Sequence, residues 1–260
     1  MNHLERIVAD ARRELEQRRS RRSEDDLERA GRRRQGHRDF PAAVRAPGLS
    51  LIAEHKRRSP SAGAIREDLS LEDVVAAYER GGAAAISVLT DGPNFGGSLD
   101  DLVRARAITD LPILRKDFVI DRYQLLEAAA AGADAVLLIV AALSPEELRD
   151  LYGEASQLGL DALVEVHDAA ELKLALLLDA PVIGINNRNL TTLEVDTGTT
   201  YELLRDVDGA AAIVAESGLR DRDQLEQLEA AGVDAVLIGE ALMRSGDIEA
   251  SVAALTAPTM

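Results

Sequence analysis

The chain has no cysteine and no tryptophan, and only three phenylalanines in 260 residues. Without cysteine there can be no disulfide, no thiolate metal site and no cysteine nucleophile. Lysine is almost missing too: of 30 basic residues only Lys56, Lys116 and Lys173 are lysine. No apolar run approaches the roughly 18–20 residues of a membrane span. The polar start MNHLERIVAD is no secretory leader. These absences predict a cytoplasmic protein with no membrane partner. There is no Gly-rich dinucleotide fingerprint and no Walker loop. The four histidines, His3, His37, His55 and His167, lack ligand spacing. No metal and no cofactor is therefore expected.

Hydrophobic residues make up 46% of the chain, enough for a large core, and the length suits one α/β barrel. The net charge of −16 argues against general nucleic-acid binding, because phosphate is repelled. An acidic, lysine-poor surface fits a high-salt cytoplasm, and GC-rich codon bias explains it equally well. Residues 3–19 read as an amphipathic helix, with Leu4, Ile7, Val8, Ala11 and Leu15 on one stripe. Residues 18–38 hold nine arginines and four acids, +5, so the remainder carries −16 − 5 = −21. This segment is expected to be solvated or internally paired rather than an RNA-binding arm. The division expected is an N-terminal helix and arginine-rich lead-in, 1–48, packed on a barrel formed by 49–260.

From Leu49 short apolar runs alternate with helical stretches. The runs are LSLIAEHK, AAISVLT, PILRKDF, ADAVLLIV, DALVEVH, PVIGINNRN, AAIVAES and VDAVLIGE. Continuous β-branched and leucine runs are what strands buried on both faces require. Eight alternations predict a single closed (βα)8 TIM barrel with an extra N-terminal helical segment. Gly82, Gly132, Gly159 and Gly232 recur between a helix and the next strand, as helix stops. Ser144-Pro145 with Glu147 forms a capping signal, and Asp121 and Asp221 stand where the third and seventh helices should start.

Polar residues collect at the C-terminal ends of the predicted strands, which in a barrel meet at one mouth. They are Glu54 and Lys56 on strand 1, Lys116 on strand 3, Glu165 on strand 5, Asn186 and Arg188 on strand 6, Glu216 and Ser217 on strand 7, and Gly239 on strand 8. Buried charge is costly unless it pairs or does chemistry. Arginine cannot lose its proton at useful pH, whereas lysine can be tuned to do so. A chain that uses arginine nearly everywhere but keeps lysine at two strand ends therefore points to proton transfer there. Lys173 falls within a predicted helix and reads as surface. Ser217-Gly218 and Gly239-Glu240 follow strands 7 and 8, where barrels hold phosphate on backbone N–H groups; Glu240 must then turn its carboxylate away. Alternation points His55 away from Glu54 and Lys56; His167 follows Glu165 by two and could reach the mouth, but reads first as a loop residue capping the next helix. DGPNFGGS at 91–98 reads as a mobile loop over the mouth or a plain connector.

Taken together, AEHKRRSPSAG, ISVLT followed by FGGS, PILRKDFVID, LVEVH, IGINNRNL, AESG and LIGEALM resemble the indole-3-glycerol phosphate synthase family along essentially the whole chain. The resemblance implies a cofactor-free lyase of tryptophan biosynthesis. It would convert 1-(2-carboxyphenylamino)-1-deoxyribulose 5-phosphate to indole-3-glycerol phosphate with loss of CO2 and water. By the same resemblance Lys116 is the general acid, Glu165 its partner carboxylate, Glu54 a second acid–base group, and Lys56 an anchor that also orients Glu54. Asn186, Arg188, Ser59 and Glu216 would bind substrate. Phe118, Leu89, Leu137 and Leu190 would wall the anthranilate ring, and Ser217, Gly218, Gly239 and Glu240 would hold phosphate. The chain departs from the family pattern at Ala62, where a lysine is common. The expected partner is a phosphorylated small molecule, on a monomer or weak oligomer. A phosphoribosylanthranilate isomerase barrel is the nearest alternative, but that chemistry favours a cysteine–aspartate pair. A silent, RNA-binding barrel is the other.

Overall fold

A computed structural model describes residues 2–32, 36–207, 209 and 211–257. Arg33 and Arg34 of the arginine-rich segment lie outside the described residues. Eight parallel strands close into a barrel in sequence order: β1 Ser50–His55, β2 Ala85–Leu89, β3 Ile113–Lys116, β4 Ala135–Ile139, β5 Asp161–Val166, β6 Val182–Asn186, β7 Ala212–Glu216 and β8 Ala235–Ile238. These match the eight apolar runs. β1 pairs with β8 through Ser50↔Ala235 and with β2 through Ile52↔Ala85, which closes the ring.

Alternation along each strand sorts the side chains. One parity faces the barrel axis: Ile52, Ala85, Leu114, Leu137, Leu163, Val182, Val214 and Leu237 pack there. The other, with Leu51, Ile86, Ile113, Val136 and Ile183, packs under the helices. Every strand is thus buried on both faces, which is why the runs read as continuously apolar.

The helices stop and start where their punctuation predicts. Gly132 ends the helix Arg122–Ala131 at φ 91°. Ser144 and Glu147 form a capping box on Pro145–Gln157. Asp121 and Asp221 accept N-cap hydrogen bonds from Tyr123 and Gln224.

Before the barrel the chain forms α1 (His3–Arg19), α2 (Glu24–Gly31) and α3 (Phe40–Val44). The expected amphipathic helix is α1, with Ile7, Ala11 and Leu15 buried. Its arginine-rich continuation is helical as well, a feature the sequence reading did not contain. Ser23 caps α2, Leu27 packs with Leu15, Tyr123 and Leu126, and Arg122 reaches Glu24 and Glu28, each at 2.8 Å. The segment's own arginines pair internally and with the barrel: Arg18 with Glu127 at 2.8 Å, Arg19 with Asp121 at 2.7 Å and Arg38 with Asp110 at 2.6 Å. Phe40 and Val44 of α3 are fully buried among strand-start residues such as Ala85, Ala135 and Ala212, and plug the N-terminal end of the barrel. Among the described residues no helix is long and apolar enough to cross a membrane.

Candidate active site

The opposite end of the barrel opens into a cavity of about 500 Å³. Lys116, the last residue of β3, projects into it. Its Nζ lies 3.0 Å from Glu165 Oε2 and donates a hydrogen bond to Glu216 Oε2. Asn186 Nδ2 donates to the other oxygen of Glu165 at 3.1 Å. Beside this group Lys56 Nζ donates to Glu54 Oε1 at 2.7 Å. Four alternate strands around the ring thus deliver two lysines and three glutamates to the cavity. Close packing makes room for them: a Cβ on Gly184 would sit 2.3 Å from Glu216 Oε1, so β6 must carry glycine where β7 presents its carboxylate.

The charges set one another's protonation. Burial disfavours the Lys116 ammonium, but Glu165, Glu216 and Glu54 outweigh it and hold its pKa far above the usual lysine value. Burial likewise disfavours the Glu165 carboxylate, and Lys116, His167 and Asn186 reverse that and hold its pKa well below the usual range. Glu216 goes the other way. Burial and its neighbour Glu165 push its pKa up to about 7 despite Lys116, and its Oε1 has no hydrogen-bond partner. One ammonium between two carboxylates holds one of them firmly ionised and leaves the other near the edge of protonation at neutral pH. The pair titrates as a unit.

The expected phosphate residues border the same cavity. Ser217 and Gly218 both have positive φ, 66° and 81°, and Asn187 Nδ2 donates to Ser217 O at 3.1 Å. A Cβ on Gly218 would stand 2.6 Å from Val195 Cγ1. Gly239 precedes the short helix Glu240–Met243. The Glu240 carboxylate runs along that helix to Arg244, at 3.0 Å.

Among the apolar residues expected to wall an aromatic ring, Leu89, Phe118 and Leu190 line the cavity. Leu137 does not. It pairs with Leu163 in the β4–β5 register, one layer below Glu165, and packs inside the barrel core; Ile139, paired with Glu165, takes its place at the mouth. Ser59 lines the cavity from a hairpin of Arg58–Ser59 and Gly63–Ala64. Arg188 borders it with a guanidinium that donates to Leu193 O at 2.9 Å.

Several residues were not found from the sequence. His3 and Ile7 of α1 line the opening, Phe95 lines it from the 91–98 stretch, and Arg220 and Arg244 line it as well. That stretch is an ordered helical turn, Gly92–Phe95, capped by Asp91. The amphipathic stripe of α1 signalled an apolar face but not the surface it covers. His167 combines the two placements open to it. It does lead into the helix Ala169–Leu177, its N–H donating to Glu171 Oε2 at 2.8 Å, yet its ring also reaches Glu165, with Nε2 3.3 Å from Oε1. His55 faces away from the cavity as expected, toward the helix layer, and burial lowers its pKa to about 4. Lys173 is exposed on its helix. Among the described residues no group of three or more potential ligands is placed to hold a metal ion.

Fold and site together define a (βα)8 barrel of the enzyme type with a lysine–carboxylate centre at its mouth. Solved structures with this fold include a tryptophan synthase α2β2 complex from Pyrococcus furiosus (TM-score 0.60, 18% identity, 79% of this chain and 97% of that one). An N-acetylmannosamine-6-phosphate 2-epimerase from Clostridium perfringens is similar (TM-score 0.62, 16% identity, 80% and 92%). Sequence narrows the class to one family. The family model described as indole-3-glycerol phosphate synthase matches residues 4–255. The chain is 49% identical to indole-3-glycerol phosphate synthase 2 of Streptomyces coelicolor over 93% of both chains. It is 46% identical to the indole-3-glycerol phosphate synthase of Bordetella pertussis over 98% of both. The chain belongs to the indole-3-glycerol phosphate synthase family.

Proposed function

We propose that this protein closes the indole ring of indole-3-glycerol phosphate, acting on 1-(2-carboxyphenylamino)-1-deoxyribulose 5-phosphate as a carboxy-lyase of tryptophan biosynthesis. The observation that carries the reading is the Lys116 ammonium, held charged at the cavity mouth between Glu165 and Glu216. The reaction joins the carboxylate-bearing aromatic carbon to the ribulose carbonyl carbon, expels CO2, then expels the former carbonyl oxygen as water. It needs a proton at that oxygen when the bond forms, a second when water leaves, and a base to take one from the adjacent CH2 carbon as the indole double bond forms.

Lys116 supplies the first proton. As the side chain that bridges Glu165 and Glu216, it can be reprotonated in place. Glu165 stays anionic beside it and faces the cationic intermediate that forms when the aromatic ring loses aromaticity. It then assists dehydration. Glu54, oriented by Lys56, is the second acid–base group. Lys56 also offers its charge to the substrate's anionic groups. Asn186, Arg188, Ser59 and Glu216 position the sugar chain, and Leu89, Phe118, Ile139 and Leu190 form the slot for the benzene ring. The N–H groups of Ser217, Gly218, Gly239 and Glu240 hold phosphate. Support for the anchor is the place of these four residues on the cavity that holds the acid–base groups, together with the turning of the Glu240 carboxylate to Arg244.

Residues 1–48 belong to the same working unit as the barrel of 49–260, since α1 closes part of the opening. The protein acts in the cytoplasm as a monomer or weak oligomer, without nucleic acid. Adding the carboxyphenylamino-deoxyribulose phosphate to purified protein should produce indole fluorescence. Silence from folded protein across low and high salt would remove the substrate assignment.

A further inference from the structure

We propose that His167 is a positioning residue for catalysis: an imidazolium wedged between Glu165 and Glu171 that clamps the Glu165 carboxylate in its ionised, Lys116-facing orientation. This rests on the functional reading above and adds a group that the family motifs do not assign.

The geometry dictates the charge. His167 Nδ1 lies 3.0 Å from Glu171 Oε2, and Nε2 lies 3.3 Å from Glu165 Oε1. An ionised carboxylate only accepts hydrogen bonds. A neutral imidazole would turn its unprotonated nitrogen toward one of these two carboxylates and gain nothing there. Only the doubly protonated ring faces both favourably. The contact to Glu165 is an ion pair without hydrogen-bond geometry, Nε2 having no hydrogen-bond partner, so its effect is electrostatic. The ring is largely buried, with 13% of the side chain exposed, and Glu165 is more deeply buried still at 2%. A charge in such a place is screened little by solvent.

Local structure holds the ring there. The His167 N–H and ring Nδ1 both engage Glu171 Oε2, at 2.8 and 3.0 Å. Asp168 caps the helix by accepting from Glu171 N–H. The start of one helix thus orients the imidazole, and the imidazole orients a carboxylate of the barrel mouth. Glu165 Oε2 faces Lys116 while Oε1 faces Asn186 and His167. The carboxylate cannot rotate without breaking one set of contacts.

The charged groups near this carboxylate come from several elements: Lys116 on β3, Glu216 on β7, Glu54 with Lys56 at the end of β1, and Glu171 on the following helix. Lys116 must serve three glutamates, and its proton is the one the reaction uses. His167 provides a second positive charge that stays when Lys116 gives up its proton. It keeps Glu165 from taking that proton itself. Burial opposes the imidazolium, but the two flanking carboxylates carry its pKa up to about 10.

Two measurements test this. The first needs no substrate: the ring nitrogens of His167 are followed by 15N-resolved NMR against pH. Both should remain protonated through pH 8, with a midpoint near 10; a midpoint near 6.5, the ordinary value, overturns the clamp. The second is the pH dependence of kcat/KM in His167→Gln and Glu171→Gln. Each takes away charge while keeping polar bulk, and Glu171→Gln keeps an acceptor for the His167 N–H, so the helix start survives. Loss of the cation should raise the apparent pKa of the Glu165–Glu216 pair by about one unit in His167→Gln, and by less in Glu171→Gln. The acid limb then moves to higher pH, lowering kcat/KM about tenfold below it and leaving values above pH 8 within about twofold. KM should change little. A loss that is uniform across pH, or an unshifted acid limb, overturns the proposal. Wild-type protein that does not turn the substrate over would remove the functional reading instead, and the NMR titration would still decide the clamp.

Discussion

Arg115 and Lys116 are consecutive residues on one strand, and they do opposite things. Arg115 points out under the helices, where it is essentially fully buried. Its guanidinium makes four hydrogen bonds, donating to Thr90 Oγ1 at 3.1 Å, Gln124 O at 2.5 Å, Asp117 Oδ2 at 2.8 Å and Glu127 Oε2 at 3.4 Å. Glu127 is in turn held by Arg18 of α1. Lys116 points in, to a cavity, and meets carboxylates one of which sits near the edge of protonation. A fork of permanent charge fixes the strand to its helices and to the N-terminal lead-in. A single ammonium that can lose its proton faces the substrate. Lysine scarcity elsewhere in the chain makes the division readable.

That contrast is open to attack from both sides. Lys116→Arg keeps the charge and removes the usable proton. It should lower kcat about 10³-fold, within the range general acid catalysis contributes, with the thermal midpoint close to wild type; stopped assays with calorimetry check both. Arg115→Leu does the reverse. It strands Asp117, and partly Glu127, without their counter-charge, and should destabilise the fold by about 3–5 kcal/mol in urea titration. Any activity that remains should track the folded fraction.

Gly218→Ala is a smaller perturbation at the anchor. Its Cβ would meet Val195 at 2.6 Å on a residue with φ 81°, so the loop must shift, and KM should rise about tenfold as one good anion contact is lost while kcat holds. A further effect is on stability against pH. The folded-state pKa of His167 is raised above its unfolded value, so its contribution is fully present below about pH 6.5 and is lost as pH rises through about 10. Stability should fall across that window by at most about 1.4 kcal/mol per pH unit, and His167→Gln should flatten this part of the curve in urea titrations at stepped pH.

Much of this was legible in the sequence because it is local. Strand identity came from apolar runs buried on both faces, helix ends from Asp121, Ser144 and Gly132, and the acid–base cluster from charged residues at strand ends. Depth inside the barrel was not legible. Leu137 and Ile139 share a parity, so alternation puts both on the inner face; which one reaches the mouth depends on the stagger between β4 and β5, a long-range property. Nor did the sequence show α2, which looks like part of a solvated, arginine-rich segment until Leu27 and the pairing of Arg122 with Glu24 and Glu28 are seen. His167 was half-visible. Its place before a helix was clear, but its reach to Glu165 depends on how the chain turns after β5. The cover that His3 and Ile7 form comes from a segment more than a hundred residues from Lys116, and no local pattern encodes that approach.

The central claim is that Lys116 is the proton donor for ring closure. The most direct measurement is indole fluorescence during turnover of the carboxyphenylamino-deoxyribulose phosphate by wild-type protein and by Lys116→Ala, with folding of both verified by circular dichroism. The account predicts a rising signal from the wild type and none above background from a folded Lys116→Ala. Near-normal turnover by that variant would contradict it and move the general acid to another residue of the cavity.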